Sequence, residues 1–208
     1  MDNSLRTVIF DVDGTLADTE RDGHRLAFNA AFAEFGLAWD WDAELYGELL
    51  TITGGKERIR HYLEKYLPDE LSRSGLDDWI AALHQAKTRY FVALLERGGI
   101  PLRPGVARLI HELRAANIKI AIATTTSPEN VIALLKSTLG EDSPDWFDVI
   151  GAGDIVPGKK PAPDIYLWVL EQLGLPAQHC IALEDSENGL KAALAAGLDT
   201  VITVSDYT

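Results

Sequence analysis

Two aspartates separated by one residue stand at the end of a short apolar run near the start of the chain. Residues 7–10 are apolar or β-branched and predict a buried strand. Side chains alternate along a strand, so Asp11 and Asp13 should point to the same side. Two carboxylates this close repel each other unless a metal ion or a shared proton offsets their charges. The spacing favours a metal or acid–base site, and the alternative is a solvated, Asp-rich turn.

Three later polar clusters each follow a strand-like run. Their candidate side chains are Thr124, Thr125, Lys160, Glu184 and Asp185. The carboxyl ends of parallel strands meet at one edge of a sheet, where open α/β sheets bind ligands. Taken singly, the threonines also fit a hydrophilic loop and the lysine an exposed position. Together with the two acid pairs, they favour one shared site.

Composition narrows the classes of partner. The chain has 208 residues, of which 47% are apolar, and its formal net charge is −13. That charge argues against nucleic acids and anionic membranes as partners, because both require a basic surface. One cysteine, Cys180, excludes an internal disulfide and suits a reducing compartment. With no secretory or membrane-length apolar run, we expect a cytoplasmic protein without a membrane partner, and a monomer.

A helical pattern follows the first acid pair. Phe28, Phe32 and Phe35 recur at helical spacing, and Gly36 is expected to end that helix. A second stripe covers residues 59–66. A third consists of Trp79, Ile80, Leu83, Tyr90, Phe91, Leu94 and Leu95. No convincing strand occurs between residues 18 and 99.

Strand and helix patterns alternate in the rest of the chain. Strands are predicted at 118–123, 147–151, 180–183 and 200–204, and helices at 164–173, at 186–196 and after Pro128, with Ser127 as the cap. Such alternation is typical of a parallel sheet. The sequence therefore predicts an α/β protein: a Rossmann-like parallel-sheet core, residues 1–17 and 100–208, with an inserted small α-helical cap domain, residues 18–99.

In their order along the chain, the four clusters resemble the four motifs of the haloacid dehalogenase-like hydrolases, and the resemblance spans nearly the whole chain. It implies that Asp11 is a nucleophile that forms an aspartyl-phosphate, and that Asp13 protonates the leaving oxygen and then activates water. It also implies that the Thr124 hydroxyl and the Thr125 amide bind the phosphoryl group. The resemblance further implies that a lysine supplies a positive charge near the nucleophile. Lys160 and Lys159 are both candidates, and Lys160 is favoured because it directly precedes the Pro-Ala-Pro-Asp segment, as the family lysine does.

A hard divalent cation, Mg²⁺, suits oxygen ligands of this kind. The resemblance implies that Asp11 and Asp185 provide carboxylate ligands and that Asp13 provides its backbone carbonyl. Glu184 would lie next to these ligands without binding the ion directly.

Residues 16–20, 24–29, 53–58 and 123–126 resemble the CbbY branch of the family. That branch is associated with the Calvin cycle and dephosphorylates xylulose-1,5-bisphosphate, an inhibitor of Rubisco. The resemblance implies that the partner is a small phosphorylated sugar as substrate, and that the product is xylulose 5-phosphate. Its implied contacts are Glu20 and His24 for the sugar, and Gly55, Lys56 and Arg58 for the distal phosphate. The alternative for His24 is that it caps or packs within the first helix. The alternative for Gly55, Lys56 and Arg58 is a glycine turn followed by surface cations.

Three rival functions stay open. A β-phosphoglucomutase-like isomerase would use the same two aspartates, but would return the phosphoryl group to the sugar. A phosphoglycolate phosphatase would act on a substrate too small to need a distal phosphate clamp. A catalytically silent binding module would not need Asp11, Asp13, Lys160 and Asp185 together.

Overall fold

Five parallel strands form a sheet in the computed structural model, which describes residues 4–204 and Tyr207. The strands are β1 (Thr7–Phe10), β2 (Lys119–Ala123), β3 (Val149–Gly151), β4 (Cys180–Glu184) and β5 (Asp199–Ile202). Their order across the sheet is β3-β2-β1-β4-β5, so β1 is central. All four residues of β1 are buried, as an apolar strand with neighbours on both sides requires. The predicted α/β class with a parallel sheet is confirmed.

Eight α-helices accompany the sheet in the described residues. They are α1 (Arg25–Glu34), α2 (Ala43–Leu49), α3 (Gly55–Tyr66), α4 (Leu76–Glu96), α5 (Val106–Ala115), α6 (Pro128–Leu139), α7 (Asp164–Leu173) and α8 (Glu187–Ala195). A π-helical turn at Glu20–His24 precedes α1, and 3₁₀ turns occur at Pro68–Ser72, Ser143–Trp146 and Ala177–His179. In the described part of the chain, no helix is both long enough and apolar enough to cross a membrane.

Alternation along β1 divides the sheet core into two layers. Val8 and Phe10 point to one face and pack with residues of α5 and α6. Ile9 points to the other face and packs with residues of α7 and α8. Burying a side chain such as Ile9 contributes roughly 1.5–3 kcal/mol. Both faces of the sheet are therefore covered, and its carboxyl edge is left to carry the polar clusters.

Residues 18–99, here called the helical block, contain helices and loops and have their own apolar centre. Phe28, Phe32, Trp41 and Tyr46 are fully buried there, and the ring centroids of Phe28 and Trp41 lie 4.8 Å apart. The polypeptide leaves the sheet core after Ala17 and returns near Leu102, and these two residues form an isolated β-bridge. Two adjacent crossings therefore join the helical block to the sheet core.

Two predicted strands have different bounds. The predicted strand 147–151 begins only at Val149, because the Phe147 amide donates to the Pro144 carbonyl in a 3₁₀ turn. The predicted strand 200–204 spans Asp199–Ile202 instead. After it the Thr203 amide still donates to the Glu184 carbonyl, while Val204 is largely exposed.

Helix α2 was not predicted from the sequence. Its seven residues are too few to show a clear apolar period. Asp42 begins it, because its carboxylate accepts a hydrogen bond of 2.8 Å from the Leu45 amide. A side-chain cap therefore defines this helix better than its apolar pattern does.

One detail of the predicted helices is wrong, and a second is confirmed in position only. Tyr90, placed in the apolar stripe of α4, is exposed, and Lys87 occupies the buried face one turn earlier. Ser127 precedes α6 as expected, but its hydroxyl makes no capping bond and has no partner among the described residues. The Asn130 amide, which a cap would bind, donates to the Ser127 carbonyl oxygen instead.

Candidate active site

The structure brings Asp11, Lys160 and Glu184 into direct contact at the carboxyl edge of the sheet. The Lys160 ammonium donates to Asp11 Oδ1 at 2.7 Å, to Glu184 Oε1 at 2.5 Å and to the Ala123 carbonyl at 2.9 Å. Lys159 turns away and donates to the Gly153 carbonyl and to an aspartate of the same loop. Of the two candidate lysines, Lys160 is the one at the acid pairs.

Burial sets the electrostatics of this group. It raises the pKa of Asp11 well above its usual range; Lys160 offsets this in part, while Glu184, Asp185 and Asp13 add to it. Burial alone would lower the pKa of Lys160, but Asp11 and Glu184 hold it well above its usual value. Negative charge is therefore in excess around one ammonium, which favours a further cation at this place.

Three carboxylates form an acidic cluster that fits a hard metal ion. Asp11, Glu184 and Asp185 each offer an oxygen, and these atoms all lie within 4.8 Å of one another. Among the described residues, Glu184 Oε2 is buried and has no hydrogen-bond partner. An all-oxygen set of this kind suits Mg²⁺.

Gly14 makes room for Asp185 in this cluster. Its φ of +83° lies in the left-handed region, and a Cβ atom there would approach Asp185 Oδ2 to 1.9 Å. Any side chain at Gly14 would therefore displace the carboxylate.

Asp13 is held by two donors that bind the same oxygen. Thr19 Oγ1 donates to Asp13 Oδ1 at 2.5 Å, and His24 Nε2 lies 2.8 Å from that oxygen. Burial raises the pKa of Asp13, but the interactions with His24, Thr19 and the positive Lys87 outweigh it, and the pKa falls well below its usual range. Asp13 is therefore a carboxylate in this conformation.

Lys87 holds the other side of the His24 ring. Its Nζ lies 2.7 Å from His24 Nδ1, and the ring stacks on Phe91 with centroids 3.9 Å apart. A lysine ammonium only donates, so Nδ1 accepts and Nε2 carries the proton toward Asp13. Burial lowers the pKa of Lys87 to about 8, and nearby Asp13 and Glu20 offset this only in part. Lys87, His24 and Asp13 thus form one chain from the helical block to the sheet core.

Thr124 and Thr125 follow β2 and line the same cavity as the acid pairs. Thr124 is buried, and its hydroxyl oxygen accepts a hydrogen bond of 3.3 Å from the Thr126 amide. The two threonines therefore lie where they can reach a ligand above Asp11.

A cavity of about 540 Å³ lies between the sheet edge and the helical block. The sheet core contributes Asp11, Asp13, Thr124, Thr125, Lys160 and Asp185, and the helical block contributes Glu20, Leu50, Thr53, Gly54 and Arg58. A volume of this size is typical of small-molecule sites.

Glu20 and Arg58 meet through Tyr46 in the wall of this cavity. The Arg58 Nη1 donates to the Tyr46 hydroxyl at 2.9 Å, and that hydroxyl donates to Glu20 Oε2 at 2.6 Å. Arg58 is buried; its hydrogen bonds in the described structure go to the Tyr46 hydroxyl and to two backbone carbonyls, and its Nη1 lies 3.9 Å from Glu20 Oε2. A positive guanidinium is thus presented to the cavity above the acid pairs.

The structure does not place His24, Gly55 or Lys56 in the wall of this cavity. His24 lies behind Asp13. Gly55 is required by packing, since a Cβ atom there would lie 2.4 Å from His84 Nε2. Lys56 lines a separate cavity of about 470 Å³ and binds Asp154.

Several residues of the site were missed by the sequence reasoning. Lys87 is the clearest, and it carried a signal: it stands four residues after Leu83 and four before Phe91, on the apolar face of α4. A lysine at such a position is buried and needs a partner. Thr19 and Tyr46 had no comparable signal: Thr19 reaches Asp13 through the irregular turn that follows β1, and Tyr46 contacts residues from two other segments.

Comparisons with known proteins agree with this geometry. The family model described as haloacid dehalogenase-like hydrolase matches residues 5–197. The plasmid-encoded CbbY protein of Cupriavidus necator is 52% identical over 204 residues, which cover 98% of this chain and 80% of that protein.

Two solved structures of CbbY from Rhodobacter sphaeroides are also similar. One, in complex with phosphate, has a TM-score of 0.88 and 49% identity. The other is a mutant in complex with xylulose-(1,5)bisphosphate, with a TM-score of 0.88 and 48% identity. Each comparison covers 98% of this chain and 88% of the other chain.

Proposed function

The chain belongs to the haloacid dehalogenase-like hydrolase family and is a phosphoric monoester hydrolase for sugar phosphates, and from that premise we propose that it converts xylulose-1,5-bisphosphate to xylulose 5-phosphate with Mg²⁺. The observation that carries the proposal is the contact of Lys160 with Asp11 and Glu184 below a cavity that also presents Arg58. One end of that cavity offers a nucleophile, and its wall offers a cation for a second phosphate.

In the first proposed step, Asp11 attacks the phosphorus atom of the 1-phosphate. Lys160 occupies Oδ1 of Asp11, which leaves Oδ2 for the attack. A bond forms between Oδ2 and phosphorus, the ester P–O bond breaks, and the leaving oxygen takes a proton from Asp13. Lys160, Thr124 and the Thr125 amide stabilise the phosphoryl oxygens.

In the second proposed step, Asp13 removes a proton from water, which attacks the aspartyl-phosphate. The Asp11–phosphate bond breaks, inorganic phosphate leaves, and both carboxyl groups return to their starting forms. The lowered pKa of Asp13 keeps its carboxylate deprotonated and so free to accept this proton. The acid role needs a proton on Asp13, and an approaching phosphate dianion favours that proton because a nearby like charge raises the pKa of a carboxyl group.

Asp11 and Asp185 would hold Mg²⁺ through their carboxylates, with the Asp13 backbone carbonyl as a third ligand. The unpartnered Glu184 Oε2 and the excess of buried negative charge support a cation in this cluster. When bound, the ion neutralises charge on the phosphoryl oxygens and on the carboxylates. Glu184 lies behind it and positions Lys160.

Arg58 is the proposed partner of the distal phosphate, and Glu20 is the proposed partner of the sugar hydroxyls. A guanidinium matches phosphate through paired donors. His24 acts through Asp13, and Gly55 acts by letting α3 approach His84. We propose that the helical block, residues 18–99, is the cap of a core formed by residues 1–17 and 100–208. A monomeric state and a cytoplasmic location stay predictions.

A panel assay of phosphate release tests this function. We expect turnover with Mg²⁺ but not after chelation, and a kcat/KM for xylulose-1,5-bisphosphate above that for each monophosphate. Glucose 6-phosphate formed from β-glucose 1-phosphate would indicate the isomerase instead, and preference for phosphoglycolate would indicate the second rival. Hydrolysis of none of these esters would contradict the proposal.

A further inference from the structure

Two side chains of the sheet core hold one short segment of the helical block. Residues 51–56 lead from α2 into the first turn of α3. Asn188 Nδ2, on α8, donates to the Thr51 carbonyl at 3.1 Å and to Thr53 Oγ1 at 3.0 Å. Asp154, in the loop after β3, accepts a hydrogen bond of 2.5 Å from Lys56 Nζ. The segment is thus held at both of its ends by residues more than ninety positions away.

We propose that Asn188 and Asp154 are positioning residues that hold segment 51–56, and with it Arg58, over Asp11. We call the two contacts the clasp. The clasp is absent from the proposed chemistry, since neither side chain transfers a proton or contacts the reacting atoms. Its effect is to set where the cavity wall stands when the reaction takes place.

Arg58 follows the segment because its guanidinium is bonded to the segment's own backbone. Its Nε donates to the Leu49 carbonyl at 3.2 Å and its Nη2 to the Ile52 carbonyl at 3.3 Å. A shift of segment 51–56 therefore shifts the proposed distal phosphate site as a unit. A displacement of about 1 Å at such a site is enough to lower the rate strongly.

The ion pair of the clasp is of a kind that opens readily, and the hydrogen bond from Asn188 to the Thr51 carbonyl is also exposed. The side chains of Lys56 and Asp154 are 38% and 60% exposed, and an exposed ion pair contributes little free energy in water. The hydrogen bonds from Lys159 and Lys56 lower the pKa of Asp154 to about 2, so it keeps its charge at neutral pH. A substrate enclosed by both parts of the chain needs such reversible contacts to enter and leave.

The clasp also reaches the nucleophile from one side. Asp154 accepts a second hydrogen bond, at 2.6 Å, from Lys159, the residue before Lys160. The loop that presents Lys160 to Asp11 is therefore linked through Asp154 to Lys56 of the helical block.

The test measures the distance between the two parts of the chain as well as activity. Spin labels are placed by Ser74→Cys in the helical block and Ala115→Cys at the end of α5, both at exposed positions, while Cys180 is buried. We expect one narrow distance distribution in this background. Adding Asn188→Ala and Asp154→Asn should create a second population at longer distance and lower kcat/KM for the bisphosphate about tenfold, chiefly through KM.

Asp77→Asn is the matched control, because the Arg60–Asp77 pair is also exposed but lies within the helical block. We expect its distances and kinetics to equal those of the background. Asp154→Asn alone, which replaces an exposed side chain by one of equal size, should give a partial effect that high salt reproduces in the background protein.

Each outcome decides between clear alternatives. Unchanged distances in the double variant would overturn the proposal, and would do so even if kcat/KM fell, because Asn188 would then act on the substrate directly. The kinetic part rests on the proposed function, whereas the distance part does not. Longer distances in a protein that hydrolyses no sugar bisphosphate would support the clasp and reject the proposed function.

Discussion

Lys160 in the sheet core and Lys87 in the helical block are both buried, but their surroundings are opposite. Lys160 is bonded to the carboxylates of Asp11 and Glu184, which hold its pKa well above its usual value against the effect of burial. Among the described residues, Lys87 has no carboxylate hydrogen-bonded to it. It donates to His24, and burial lowers its pKa to about 8.

This difference separates two tasks in the molecule. Around Lys160, the opposite charges of Asp11 and Glu184 lie within hydrogen-bond distance, and all three side chains belong to the sheet core. The burial of the Lys87 charge is offset only in part, by Glu20 and by Asp13, which lies across the boundary between the two parts and is reached through His24. The helical block thus orients one carboxylate of a site that the sheet core builds.

The largest effect is expected in the sheet core, at Asp11, the proposed nucleophile. Asp11→Asn should lower phosphate release by about 10⁴-fold or more, because the covalent step is lost. The fold should remain intact, since the variant removes one of several crowded negative charges. Phosphate-release kinetics and the melting temperature check both parts. Turnover near that of the unaltered enzyme would remove Asp11 from its proposed role.

Lys160→Met should destabilise the metal-free protein by about 3–5 kcal/mol, because buried Asp11 and Glu184 lose their common partner. Urea unfolding in the presence of a chelator measures the loss. The loss should shrink as the pH falls and Asp11, whose pKa is raised by burial, takes up a proton. Lys87→Met is the matched control on the other side of the comparison, and an equal loss for both variants would show that the two lysines are not in different environments.

The pH dependence of stability sharpens the contrast between the lysines. The pKa of Lys87 falls from its ordinary 10.5 to about 8 on folding, so between these values the unfolded chain binds more protons and stability rises with pH. The gap corresponds to a gain on the order of 3 kcal/mol, which Lys87→Met should lack. The pKa of Lys160 is raised instead, so its stabilising effect is complete below pH 10.5 and is lost only above it.

Urea unfolding of the unaltered protein and of Lys87→Met, from pH 7 to 10.5, provides the measurement. The free-energy difference between the two proteins should drift in favour of the unaltered chain as pH rises. A constant difference would mean that Lys87 is not desolvated in the folded state.

The same contrast explains how much of this protein was predictable from its sequence. The parallel sheet was predictable because strand and helix periods alternate along the sequence. The proximity of Asp11 and Lys160 could also be expected, because each residue stands next to an element with a clear pattern. These are local signals combined by one rule, that parallel strands share a carboxyl edge. Residue roles at that edge remain proposals.

The helical block was less predictable because its contacts are set by tertiary packing. Helix α2 and the Tyr46 bridge between Arg58 and Glu20 have no periodic signal. The glycine before Lys56 illustrates the point. Gly55 fits an anion-binding turn by sequence, whereas the structure shows that it admits the ring of His84.

Lys56 is expected to give the smallest effect, and it separates the two cationic candidates of the helical block. Arg58→Met should lower kcat/KM for the bisphosphate much more than for a monophosphate, because Arg58 is buried in the cavity wall. Lys56→Met removes an exposed ion pair to Asp154, which contributes about 0.2–1 kcal/mol, so kcat/KM should fall at most about fivefold. Because the pair is one contact of the clasp that holds Arg58, the loss should be larger for the bisphosphate than for a monophosphate, should equal the loss in Asp154→Asn, and should vanish at high salt. A bisphosphate-specific loss at Lys56 that exceeds the loss in Asp154→Asn would instead place its ammonium on the distal phosphate in the substrate complex.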